Sequence, residues 1–184
     1  MIWLIVLLAI VLLVAILFVV FFNRLVRLRN AVDNAWAQVE VQLKRRWDLI
    51  PNLVETVKGY AAHERETFEA VTQARARAQQ AQTPAETAQA EGILGAALGR
   101  LLAVAEAYPE LQADENFRQL QTELAETENR VAVSRQVYND VVLTFNNAIQ
   151  TFPGVVLAGP LSFSVREFFD VEEAAQREVP VVDF

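Results

Sequence analysis

The residues whose types could do chemistry are few and scattered. His63 is the only histidine, so a metal site would have to be completed by carboxylates, and no Asp/Glu pairs recur at a spacing that converges on one helix face. Glu64 falls on an apolar stripe between Ala61 and Phe68. A carboxylate there either handles a proton or, the favoured reading, is buried against an arginine such as Arg130 or Arg135. Gly92, Gly95 and Gly99 invite comparison with a phosphate loop, but no strand precedes them. Gly95-x-x-x-Gly99 therefore reads as close helix packing. With no cysteine there is no thiolate or disulfide chemistry. No nucleophile–base pair, metal cluster or cofactor loop is visible, so neither an enzyme nor a cofactor is expected.

Two polar sets remain. Arg45, Arg46, Asp48 and Asn52 surround Pro51, where a helix is expected to end or kink, losing backbone hydrogen bonds that side chains must replace. Asn139 and Asn146 lie one heptad apart beside Tyr138 and Phe145, and so share a helix face. Both sets read either as groups that satisfy the backbone at a helix corner or as a docking surface for a partner.

The elements that must position these groups begin with residues 2–22, which hold no charge, Gly, Pro or hydroxyl. As a helix this stretch spans about 31 Å, against a hydrocarbon core of about 30 Å. A cleaved signal peptide needs a basic start and a small-residue cleavage site. Neither is present, so a permanent anchor contacting the lipid bilayer is expected over residues 1–23. Arg24, Arg27 and Arg29 follow the span at once. The positive-inside rule then puts the N-terminus outside and the remaining domain in the cytoplasm, in a single-pass arrangement at the cell membrane.

No Gly or Pro precedes Pro51, so the membrane helix is expected to continue to about Asp48. A second helical run covers residues 52–82. Thr83-Pro84-Ala85-Glu86 has the form of a capping box and starts a third helix that stops near Tyr108-Pro109. The fourth carries Phe117, Leu120, Leu124, Thr127, Val131, Ser134, Tyr138, Val141, Phe145, Ala148 and Phe152 at three-four spacing, a coiled-coil-like seam ended by Pro153-Gly154. The fold class is all-α: a transmembrane helix continuing into an antiparallel four-helix bundle over residues 24–152, then an irregular tail over 153–184. That tail is rich in Val, Leu and Phe, and is expected to pack on the bundle or a neighbouring subunit, with Phe168 or Phe169 inserted between helices and Asp170 capping a short helix through Arg177. The formal net charge of −7 and the lack of a basic stripe argue against nucleic acid as a partner.

The stretches Arg29-Asn30, Asn34-Ala35-Trp36, Arg45-Arg46-Trp47-Asp48-Leu49-Ile50-Pro51-Asn52-Leu53-Val54 and Tyr60-Ala61-Ala62-His63-Glu64 together resemble the LemA family. So do Tyr138-Asn139, Phe145-Asn146, Ile149-Gln150, Phe152-Pro153 and Val181-Val182-Asp183-Phe184. Trp47 stands where that family tolerates various residues. The resemblance implies a long-helix bundle on a membrane anchor and supplies no established enzymatic activity. Two functions are expected to compete: a non-catalytic scaffold that recruits or organises other envelope proteins, and a protein that assembles with itself to shape the membrane.

Overall fold

The computed structural model describes residues 1–170, and all regular structure among them is helical. α1 runs without interruption from Ile2 to Tyr60. The continuity expected to Asp48 is present and goes further, through Pro51. This corrects the expected break there and the second run over 52–82: α2 occupies only Arg65–Gln80, after a short turn at Ala61–Glu64. A proline inside a helix costs about 3 kcal/mol. Ile50, Leu53 and Val57 are almost wholly buried on the same helix, and each contributes about 1.5–3 kcal/mol, so packing carries the helix past the proline.

α3 spans Pro84–Glu106 and begins with the expected capping box. The Thr83 hydroxyl accepts from Glu86 N at 3.2 Å, and the Glu86 carboxylate accepts from Thr83 N at 3.3 Å. α4 is one turn, Pro109–Ala113, and α5 runs over Glu115–Gln150. Asp114 starts α5 by accepting from Phe117 N at 2.9 Å, while its second oxygen accepts from the Tyr60 hydroxyl at 3.1 Å. That hydrogen bond to a carboxylate pushes the Tyr60 phenol above its usual value of 10.0. α6, Gly154–Ala158, follows directly.

The chain divides into two compact units. One comprises Met1–Gln38 with Gln136–Arg166. Its interior is built from Leu25, Val32 and Ala35 of α1, from Tyr138, Val142, Phe145 and Ile149 of α5, and from Phe163. Trp36 lies against Tyr138 with ring centroids 5.2 Å apart. The Phe163 ring meets Phe22 and Phe145 edge to face at 6.3 and 6.4 Å, and the Arg29 guanidinium lies 5.5 Å from its centroid. Phe163 of the early tail is thus packed within this unit, whereas Val155 and Val156 are exposed.

Among the described residues, the other unit comprises Val39–Arg135 and 167–170. Its core joins Ile50, Leu53 and Val57 of α1 to Phe68 and Val71 of α2, Leu94, Leu98 and Leu101 of α3, Leu111 of α4, and Phe117 and Leu124 of α5. α3 is itself long and apolar enough to cross a membrane, but its leucines lie in this core. Of the two tail phenylalanines expected to insert between helices, Phe169 is buried and Phe168 exposed. The expected helix through Arg177 and the closing Val181-Val182-Asp183-Phe184 lie outside the described residues.

Val131, Tyr138 and Phe145 of the α5 seam are buried as expected, but its other row shifts by one residue, with Val142 and Ile149 buried in place of Val141 and Ala148; Phe152 is exposed beyond the end of α5. A straight helix drifts about 20° per heptad from a strict seven-residue repeat. Over five heptads that drift exceeds the angular width of one seam position.

A candidate functional site around Arg46, Trp47 and Glu91

Pro51 has no N–H, so the Trp47 carbonyl, its i−4 partner, loses its helical donor. The Arg75 side chain of α2 supplies a replacement: its Nε donates to Trp47 O at 2.8 Å. The expectation of side-chain substitutes at this proline is met by a residue outside the four that surround it. Of those four, Arg45, Asp48 and Asn52 are exposed, as is Pro51 itself. Arg45 shares a polar cleft with Glu123, Glu126 and Arg130. The four do not flank a break, because the helix continues.

Arg46 points the other way, into the core, and is 7% exposed. Its guanidinium donates to Glu91 Oε2 at 3.1 Å, and the Trp47 indole donates to Glu91 Oε1 at 2.6 Å. Arg46 Nε is buried with no partner among the described residues. Burial pushes the Glu91 carboxyl above the usual carboxylate range, against the downward pull of the Trp47 hydrogen bond and the Arg46 charge. Arg46 and Glu91 sit at the edge of a cleft of about 260 Å³ whose other walls include Gly95, Glu128, Ala132, Arg135 and Phe169. The cleft presents both signs of charge beside an aromatic ring.

The buried carboxylate is therefore Glu91, and not Glu64, which is half-buried in the turn before α2. Arg130 pairs with Glu126 at 3.9 Å on its own helix. Sequence reasoning missed Glu91, although its signal was present: it lies three or four residues from Thr87, Ala88 and Leu94, all buried. The Gly95-x-x-x-Gly99 expectation is also corrected. A Cβ on either glycine would meet nothing within 4 Å, so neither is held small by a close neighbour.

In the first unit Asn146 is buried and clamps the chain after α6. Its amide donates to Arg166 O and accepts from Arg166 N, both at 2.9 Å, while the Arg166 guanidinium reaches Asp33 at 2.9 Å. Asn139 is half-buried on the same helix. Arg24, Arg27 and Arg29 are exposed just beyond the apolar stretch, with Arg27 Nε donating to Asn23 O at 3.2 Å.

A helix of membrane-spanning length whose apolar side chains are bare through Val20, leading into helices that bury their own polar clusters, defines a membrane-associated all-helical protein. The chain belongs to the LemA family, whose model matches residues 35–184. It is similar to magnetosome protein MamQ 2 of Paramagnetospirillum magneticum, with 27% identity over 187 aligned residues that cover 88% of this chain and 68% of that protein. Over 93 residues, half of this chain and 34% of the relative, it is 34% identical to magnetosome protein MamQ of Magnetospirillum gryphiswaldense. Protein LemA of Metamycoplasma hominis is 29% identical over 135 residues, 71% of this chain and 60% of that protein. None of these names states a reaction.

Proposed function

We propose that this protein is a non-catalytic scaffold, anchored in the cytoplasmic membrane by a single pass, that recruits or organises other envelope proteins. The observation that supports this most is the fate of its polar groups. Arg46 and Trp47 are engaged with Glu91 in one unit, and Asn146 with the Arg166 backbone in the other, so within each unit these groups tie segments of the chain together and do not converge on a reacting atom. The exposed apolar side chains through Val20 supply the anchor. Arg24, Arg27 and Arg29 support an orientation with the N-terminus outside and the domain in the cytoplasm. Burial of the α3 leucines favours one span over two.

A second reading, self-assembly that shapes the membrane, is favoured by Val133 and Val137, which lie four apart on α5 and are both exposed. A photo-crosslinking residue at Ala132, in the cleft, separates the two. In native membranes the scaffold reading gives adducts with other proteins at Ala132 and none at exposed Glu66 of α2. Adducts of the chain with itself alone support self-assembly and overturn recruitment.

A further inference from the structure

We infer that the turn carrying α6 is a second membrane contact, a short re-entrant cap whose apolar face lies among the acyl chains beside the spanning helix. The inference rests on the membrane reading of α1 and deepens it. Val14, Leu17, Phe18 and Phe21 of α1 form one wall of an almost purely apolar groove, and Phe152, Pro153, Val156 and Leu157 form the other. All belong to one compact unit. Val14 lies about 12 Å along the helix before Phe22, and the arginines begin only at Arg24. A groove walled by this part of α1 is on the hydrocarbon side of the arginines. If α1 spans the bilayer, acyl chains are what cover it.

Three independent features fit that placement. First, the large side chains that face away from the protein are apolar: Phe152 is 84% exposed, Val155 53% and Val156 62%. Residues 141–165 contain no charged side chain, so the chain can enter and leave the hydrocarbon without carrying one.

Second, five backbone N–H groups of the turn find acceptors within residues 151–163, which is the kind of internal pairing that a segment exposed to lipid needs. Val155 N donates to Thr151 O, Val156 N to Pro153 O, Leu161 N to Leu157 O, Ser162 N to Gly159 O and Phe163 N to Ala158 O. Pro153 and Pro160 carry no N–H at all.

Third, the two ends of the turn are fixed at the level where charges resume. Phe163 packs against Phe22 under the Arg29 guanidinium, and Arg166 is clamped by Asn146 and paired with Asp33. The cap enters from α5, passes α6, and returns at the arginine belt.

The test uses the full chain, which has no native cysteine. Single cysteines replace Val156, Phe152, Val11 as a mid-span reference and Glu66 as an aqueous reference. Each variant is labelled with an environment-sensitive fluorophore and reconstituted in phosphatidylcholine vesicles with or without lipids brominated on the acyl chain. The Val156→Cys and Phe152→Cys labels are expected to be blue-shifted relative to Glu66→Cys and to lose at least half as much emission to brominated lipid as Val11→Cys. Quenching at Val11 with aqueous emission at both cap positions overturns the inference and leaves the spanning helix intact. Blue-shifted cap labels that brominated lipid does not quench also overturn it, because a protein surface then covers the groove. Failure of the Val11 label to quench removes the membrane reading itself.

Discussion

The Arg75 Nε lies 2.8 Å from the carbonyl oxygen of Trp47, the acceptor that Pro51 leaves without a helical donor. One arginine on α2 thereby repairs the long helix and ties α2 to it. Arg75→Ala should lower stability by about 1–3 kcal/mol, the cost of stranding a partly buried acceptor. In a Pro51→Ala background the backbone N–H returns, and the same Arg75 substitution should cost less than half as much. Thermal melts of the four proteins in one detergent check this. Equal costs in both backgrounds would show that Arg75 acts by some other contact.

Arg46→Ala should destabilise by about 3–5 kcal/mol, because it leaves Glu91 buried without its cation. Replacing both partners by apolar residues, Arg46→Met with Glu91→Leu, should recover most of that loss, since the pair is desolvated on both sides and Arg46 Nε has no partner among the described residues. Chemical denaturation of the single and double variants measures the difference.

The raised pKa of Glu91 gives a pH signature of definite sign. The folded protein holds this proton more tightly than the unfolded chain, so the contribution to stability is complete below the ordinary glutamate range, about pH 4. It is lost as pH rises through the raised value. The stability of the natural protein minus that of Glu91→Gln should therefore fall from pH 4 towards neutrality, as read from melting curves of both proteins across that interval. A difference that rises with pH would mean that the Arg46 charge outweighs desolvation.

The glycines should divide by position. A Cβ at Gly154 would run into the Ala148 carbonyl at the end of α5, so Gly154→Ala should destabilise despite its better helix propensity. Gly95→Ala and Gly99→Ala meet open space inside α3 and should each stabilise by up to about 1 kcal/mol. Melting temperatures of the three variants decide it.

Local signals in the sequence were reliable where a short segment specifies its own structure. The apolar run and absence of breakers gave α1 its continuity, and Thr83 with Glu86 gave the start of α3. What stayed hidden depends on residues distant in the chain. Pro51 could be read only as a stop, because Arg75 comes from the next helix and its reach is a tertiary fact. Glu91 looked like one charge among apolar neighbours, and its partners Arg46 and Trp47 are supplied by α1. The resemblance offered no role for Trp47, yet its indole is one of the two donors that hold Glu91 in place. The late α5 seam failed for a geometric reason, since a strict heptad accumulates angular error along a straight helix.

On the proposed function, the helical domain works by holding other proteins at the membrane. Its most direct test is the pattern of photo-crosslinks from Ala132 with the full chain and with a chain lacking residues 2–20, after circular dichroism has shown that the shortened chain keeps its helices. The predicted result is a discrete set of adducts with other membrane proteins from the full chain, and loss of that set when the span is removed. An identical set from both chains, or no adducts with other proteins from the full chain in its native membrane, would contradict the account.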